Sequence, residues 1–202
     1  MNDQSRVLSG ADVVSLALFA LIGIGIAVTS ICMAIVRSME LAAGGKVEVL
    51  AEFIDTPAEA TNGSETLSIL VDRGVVTVTD LMPTGVISGL LGQIAFALTT
   101  TGVVVCLILL SRNLLRGQVF SRYNTGLVMG GGILGLVGSA ASHFFDNILA
   151  NAAVAQATDT LFDTAVISVQ PFPFLLAAFA LAIIGTVFVV GDRLRRDTEG
   201  LV

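Results

Sequence analysis

The sequence predicts a mainly α-helical membrane protein, a four-transmembrane-helix bundle with a small antiparallel β-sheet on its outer face. Three observations predict it. Hydrophobic residues make up 54% of the chain and charged residues 13%, whereas an ordinary soluble domain is about a quarter charged. Four apolar runs are each long enough to cross a hydrocarbon core of about 30 Å. Between the first two lies a stretch with partial alternation, β-branched residues and turn signals. No Pro- or Ser-rich linker divides the chain, so residues 1–202 read as a single membrane domain.

Residues Met1 to Asp12 are polar and carry one cation, Arg6. Val13 to Val36 is a continuous apolar run, longer than the core of about 7–15 residues in a cleaved signal peptide. Ile31 stands before Cys32 where a lipoprotein signal has a small residue. The run therefore reads as a retained first helix, residues 13–36.

Residues 38–83 form the expected outer, β-bearing loop. Lys46–Ile54 and Glu65–Val71 alternate in part, and Val75–Thr79 is β-branched. Asn62-Gly63 and Asp72-Arg73-Gly74 are the turn signals between them. The expectation is a small meander that packs on something else, because an isolated hairpin is marginal in water. Asn62-Gly63-Ser64 also matches a glycosylation triplet, and a plain turn is the simpler reading.

The second helix is expected at 86–110 and contains Gln93 and Thr99-Thr100-Thr101. A basic turn, 111–124, follows with Arg112, Arg116, Phe120 and Arg122. The third helix is expected at 125–145, then a second outer loop at 147–168, whose Thr164–Val169 suits a further strand. Pro171 and Pro173 open the fourth helix, 172–190, since proline is tolerated in a first helical turn. A charged tail closes the chain.

The cations set the expected orientation. With both termini inside, the inner segments hold Arg6, Arg112, Arg116, Arg122, Arg193, Arg195 and Arg196, and the outer ones only Arg37, Lys46 and Arg73. The positive-inside rule then places both termini and the Arg116 turn in the cytoplasm and the protein in the cell inner membrane. Most of the acid, including Glu40, Glu48, Glu52, Asp80, Asp146, Asp159 and Asp163, falls outside. Cys32 and Cys106 lie in oppositely directed runs about 20 Å apart in depth, too far for a disulfide.

Small residues recur at four-residue spacing. Gly131, Gly135 and Ser139 share a face of the third helix, Gly126 and Gly130 make a second pair, and Gly138 with Ser142 a third. Gly23 pairs with Ala27, Gly85 with Gly89, and Ser88 with Gly92. Such faces permit the close backbone approach on which helix association in lipid depends. They serve packing within one chain or a seam between copies. Gln93, a polar residue deep in a span, is expected to face neighbouring helices and find a hydroxyl partner.

His143 and Asp146 sit one helical turn apart at the outer end. They suit a metal site completed by loop acids, a pH sensor, or an interfacial histidine beside the aromatic anchor Phe144-Phe145. A lone histidine most simply takes the last role, so no metal ligand is assigned. No nucleophile–base arrangement, phosphate-binding loop or paired His/Cys spacing is visible, and no cofactor is expected. No span carries an internal Asp, Glu, Lys or Arg, the usual mark of an ion path. The arginines read as topology and lipid-headgroup contacts, not as a nucleic-acid site.

Leu114-Leu115-Arg116-Gly117-Gln118-Val119-Phe120-Ser121, followed by a glycine-bearing apolar span, resembles the LRxGxxFs turn of an uncharacterised family of bacterial four-span membrane proteins, catalogued only as a domain of unknown function. The tail from Gly191 to Val202, ending Glu199-Gly200-Leu201-Val202, is similar to that family's charged ending. The resemblance implies a regulatory membrane partner, because members are encoded beside small helix-turn-helix regulators. It carries over no catalytic or ligand residue. The layout also looks like the claudin plan, without its outer-loop tryptophans and cysteine pair. That analogy is one of architecture alone.

The sequence therefore suggests a non-enzymatic, multi-pass inner-membrane protein with a sensing or regulatory role. Its partners would be the lipid bilayer, a protein at the cytoplasmic turn or the outer loop, and a second copy of itself. The alternatives are a structural or accessory subunit of a larger membrane complex and a small-molecule or ion transporter.

Overall fold

The computed structural model describes residues 10–62, 65–157 and 171–199. It is mainly helical, with four long apolar helices and one two-stranded antiparallel sheet. Helix α1 spans Gly10–Ala42, strand β1 Lys46–Asn62, strand β2 Glu65–Thr79, helix α2 Pro83–Leu115, helix α3 Arg122–Ala157 and helix α4 Pro171–Glu199. All four helices are long and apolar enough to cross a membrane. At 33 residues, α1 and α2 are each about 50 Å long, so both extend beyond a hydrocarbon core of about 30 Å.

The residues group into two compact units. The first comprises Met1–Met33, Phe96–Ser139 and Gln170–Val202, the second Ala34–Ala95 and Ala140–Val169.

In the first unit, glycines bring helices close. Gly23 of α1 faces Val104 of α2. Gly131 and Gly135 of α3 face Cys106 and Val103 of α2. Gly132 lies against Leu181 of α4, Gly138 against Thr99, and Gly185 of α4 against Met129. By contrast, a Cβ at Gly126 or Gly130 would meet nothing within 4 Å. Large apolar side chains point away from the unit, with Phe19 68% exposed, Leu98 66% and Val137 64%. Such outward apolar side chains go with helices long and apolar enough to cross a membrane.

The second unit holds a sheet-and-helix core. Val47, Val49 and Ala51 of β1 are buried, as is Val78 of β2. They pack with Leu41 of α1, Leu81, and Leu149, Ala150, Ala153 and Val154 of α3. The register explains the pattern: Val47 opposes Val78, Val49 opposes Val76 and Ala51 opposes Gly74. Successive strand residues point to opposite faces. The other face therefore carries Lys46, Glu48, Leu50 and Glu52, opposite Thr79, Thr77, Val75 and Arg73. Glu52 and Arg73 close that face with an ion pair of 2.7 Å.

Three expectations are corrected here. Asp72-Arg73-Gly74 is not a turn, because β2 runs straight through it. Gly74 instead leaves room for the Phe53 ring, 3.2 Å from where its Cβ would stand. A register shift between Glu52 and Thr56 takes up the irregularity, so the meander becomes one long hairpin. The second outer loop does not begin at residue 147, because α3 continues to Ala157. Leu149, Ala150, Ala153 and Val154 form a helical apolar stripe there, which polar Asn147, Asn151 and Gln156 obscure in the sequence. Likewise α4 continues through most of the charged tail to Glu199. The possible strand at Thr164–Val169, and Gly63 and Ser64 of the glycosylation triplet, lie outside the described residues.

The chain turns where its sequence permits. Gly44 and Gly45 end α1 at φ +63° and +135°, a region glycine enters without steric cost. Pro83 opens α2, where a missing N–H is harmless. At Gly89 an added Cβ would stand 2.6 Å from Leu41 and 3.2 Å from Leu149, both buried. Gly89→Ala is therefore expected to destabilise the protein by about 1–3 kcal/mol through overpacking, and Gly126→Ala to leave stability unchanged. Thermal unfolding of the two variants in detergent checks this.

Candidate functional site

Two polar constructions stand out, one in each unit. Each is built on a buried or half-buried amide.

In the second unit, Gln156 of α3 grips the root of the hairpin. Its Oε1 accepts a hydrogen bond from the Met82 N–H at 3.0 Å. Its Nε2 donates to the carbonyls of Thr79 at 3.0 Å and Asp80 at 2.9 Å. One side chain thus ties the last residue of β2, the connector and the entry to α2. The Met82 N–H is a helix-start donor with no partner inside its own helix, and Gln156 supplies one. Asp80 sits at φ 55°, a left-handed conformation that aspartate tolerates better than most residues. It is held there by its own N–H, which donates to the Gly45 carbonyl at 3.2 Å, and by Gln156.

Arg37 makes a second tie at the same root. Its guanidinium pairs with Glu40 at 2.9 Å and donates to the Glu48 carbonyl at 2.5 Å. Beside these contacts lies an open cleft of about 340 Å³, lined chiefly by Leu41, Val47, Leu81, Pro83 and Val86, with Asp80 as its one charged residue. Its size is at the lower end of ligand pockets. Its lining suits an apolar group with a donor or positive end.

His143 and Asp146 also lie in this unit, on α3. Both are exposed. The Asp146 carboxylate stands over Gly92, whose carbonyl accepts from Ser142 Oγ at 3.3 Å. Among the described residues no three His, Cys, Asp or Glu side chains gather to hold a metal ion. Gln93 is half-buried.

In the first unit, Asn124 locks the turn between α2 and α3. It is completely buried. Its Oδ1 accepts from Asn113 Nδ2 at 2.8 Å. Its Nδ2 donates to the carbonyls of Gln118 and, at 3.0 Å, Val119. Its own N–H donates to Ser121 Oγ at 3.2 Å, which makes Ser121 the N-cap of α3. On the α2 side the N–H groups of Arg116, Gly117 and Gln118 donate to the carbonyls of Asn113, Leu114 and Asn113. Gly117 takes φ +75°, a common way to end a helix. Phe120 sets its ring edge-on to Phe188 of α4, centroids 5.8 Å apart, over Gly191. Arg112, Arg116 and Arg122 all point outward and are exposed.

The structure thus brings Arg112, Arg116, Phe120 and Arg122 onto one rigid turn. It gathers Gly131 and Gly135, and separately Gly23 and Gly89, at helix contacts. Gly126 and Gly130 meet nothing within the described residues. Ser139 and Ala27 belong to the first unit and are partly buried. Cys32 and Cys106 are both free thiols.

Sequence reasoning missed Gln156 and Asn124. Ser121-Arg122-Tyr123-Asn124 ahead of an apolar run carries a usable signal, a capping serine at a helix start. Gln156 carries none, since its partners are 74 to 77 residues away.

Substituting Asn124 leaves part-buried carbonyls unpaired, at up to about 1–3 kcal/mol for each group, whereas the partners of Gln156 are exposed and its loss is felt in the hairpin's order. Asn124→Ala is therefore expected to lower the thermal midpoint of the whole protein. Gln156→Glu should loosen the hairpin more than Gln156→Leu, because it turns a carboxylate towards two carbonyl oxygens. Amide hydrogen exchange across Lys46–Leu50 and Val75–Thr79 reads the difference, with Glu faster than Leu and Leu faster than the native chain.

No protein-family model, curated protein or solved structure matches this chain.

Proposed function

We propose that the chain is a non-enzymatic, multi-pass protein of the bacterial inner membrane with a sensing or regulatory role. The hairpin and its root receive the signal, and the Arg116 turn is presented to a cytoplasmic partner. The observation that carries this reading is the Gln156 clamp. A binding event that moves the end of β2 also acts on the first turn of α2, because one side chain holds both. Helix α2 is uninterrupted from Pro83 to Leu115. The cleft beside Asp80 offers a place for such an event. The charge asymmetry of the sequence supports the orientation, with both termini and the Arg116 turn inside.

A second reading, an accessory subunit of a larger membrane complex, is favoured by one observation. Gly126 and Gly130 form a small-residue pair that nothing among the described residues covers, and such pairs admit close helix approach in lipid.

Orientation and role are tested together in a background with Cys32 and Cys106 changed to alanine. Ala60→Cys is expected to react with an impermeant maleimide in intact cells, and Gln118→Cys only after permeabilisation. A photo-crosslinker at residue 118 in native membranes is expected to recover a soluble cytoplasmic protein. Recovery of membrane proteins alone, through a crosslinker at residue 126, would favour the accessory subunit. Labelling of residue 118 from outside would overturn both the orientation and the proposed role.

A further inference from the structure

We infer that the locked turn is a binding site for the phosphate of an anionic phospholipid. The inference requires only that the apolar helices lie in a bilayer, not that the protein is a sensor.

Four arginines of the first unit lie where α2 ends, α3 begins and α4 passes beside Phe120: Arg112, Arg116, Arg122 and Arg193. All four are exposed. The ion pairs Arg37–Glu40 and Arg73–Glu52 involve none of them. Their depth points to a lipid. Arg112 follows the apolar run of α2 by two residues from Leu110, Arg122 stands three before Thr125, and Arg193 comes three after Val190. At about 1.5 Å per residue, these three lie within one helical turn of the hydrocarbon boundary, with Arg116 one turn beyond Arg112. That is the level of lipid phosphates. Tyr123, 57% exposed beside Arg122, is the residue type that settles at this level.

The Asn124 lock distinguishes this turn from a loose basic loop. Asn113, Asn124, Ser121 and the carbonyls of Gln118 and Val119 fix the backbone from the end of α2 to the start of α3. The guanidiniums are therefore presented from a rigid frame. Arginine's planar fork matches phosphate oxygens two at a time, and less ordering is needed when the frame is already set. Two acids lie at this end among the described residues: Asp192 is only 8% exposed and is itself engaged, and Asp197 stands one helical turn beyond Arg193, away from the turn between α2 and α3 in sequence.

The test titrates the full chain in mild detergent with phosphatidylglycerol or phosphatidylcholine and reads bound lipid by native mass spectrometry. Phosphatidylglycerol is expected to bind at least about tenfold more tightly, as several arginines near one anionic headgroup imply. The triple variant Arg112→Gln, Arg116→Gln, Arg122→Gln should abolish that preference while helicity by circular dichroism is unchanged. Asn124→Ala keeps every arginine but frees the frame, and the preference should fall with helicity retained. Equal binding of the two lipids by the native chain would overturn the inference. So would a preference that survives in the triple variant. Displacement of the lipid by millimolar inorganic phosphate would assign the site to a free anion instead. Loss of the crosslinked cytoplasmic protein in the triple variant, with lipid preference intact, would assign the arginines to a protein partner.

Discussion

The structure depends on close approach between helices at glycines, the contact on which helix association in lipid would rest. In hydrocarbon, burying one apolar side chain against another gains little, because lipid tails are equally apolar. What remains is close contact between backbones and the dispersion energy it brings. The helices of the first unit meet at glycines for this reason: Gly23 on Val104, Gly131 on Cys106, Gly132 on Leu181. Residues such as Phe19, Leu98 and Val137 are left outward, on helices long and apolar enough to cross a membrane. The second unit follows the older rule in part. There a hairpin buries alternate residues against helix ends, and the cluster around Ala153 is closed to solvent.

The same constraint governs the polar groups. A helix end has backbone donors or acceptors with no partner inside the helix, and near a bilayer an unpaired one is expensive. The chain solves this twice with a neutral amide. Asn124 serves the turn between α2 and α3, and Gln156 serves the entry to α2. An amide both donates and accepts, so one side chain satisfies carbonyls and an N–H together. Each clamp fixes geometry beside a feature of interest, the basic turn in one case and the Asp80 cleft in the other.

Much of this was legible in the sequence, and the failures have physical causes. The four helices follow from apolar length, and the strands at Lys46 and Val75 from β-branched alternation. Helix ends differ from the sequence pattern where it changes from apolar all round to a single apolar stripe. Beyond Phe145 the helix no longer needs to be apolar all round, so only the stripe from Leu149 to Val154 remains to mark it. Gly74 looked like a turn because glycine has two uses, and here it makes space for Phe53. Gly126 and Gly130 read in the sequence like Gly131 and Gly135, and only coordinates show which pair is covered. Gln156 was illegible because nothing local distinguishes an amide that reaches back across the fold from one that faces water.

The choice of amides over charges at both clamps is itself informative. A carboxylate at either position could accept from an N–H but would repel the carbonyls that Asn124 and Gln156 now serve. A lysine could donate to the carbonyls but would leave the Met82 N–H and the Asn113 amide without an acceptor. Charge is kept where it can reach water or headgroups: the arginines of the turn lie outside the Asn124 lock, and Asp80 lies at the cleft while its backbone carries the clamp. Arg37 and Arg73 tie the hairpin, but holding the frame with neutral groups leaves the turn arginines and the Asp80 carboxylate free of that duty. A ligand or lipid that engages those charges therefore need not break the bonds that hold the frame, so binding at either end can be reversible without local unfolding.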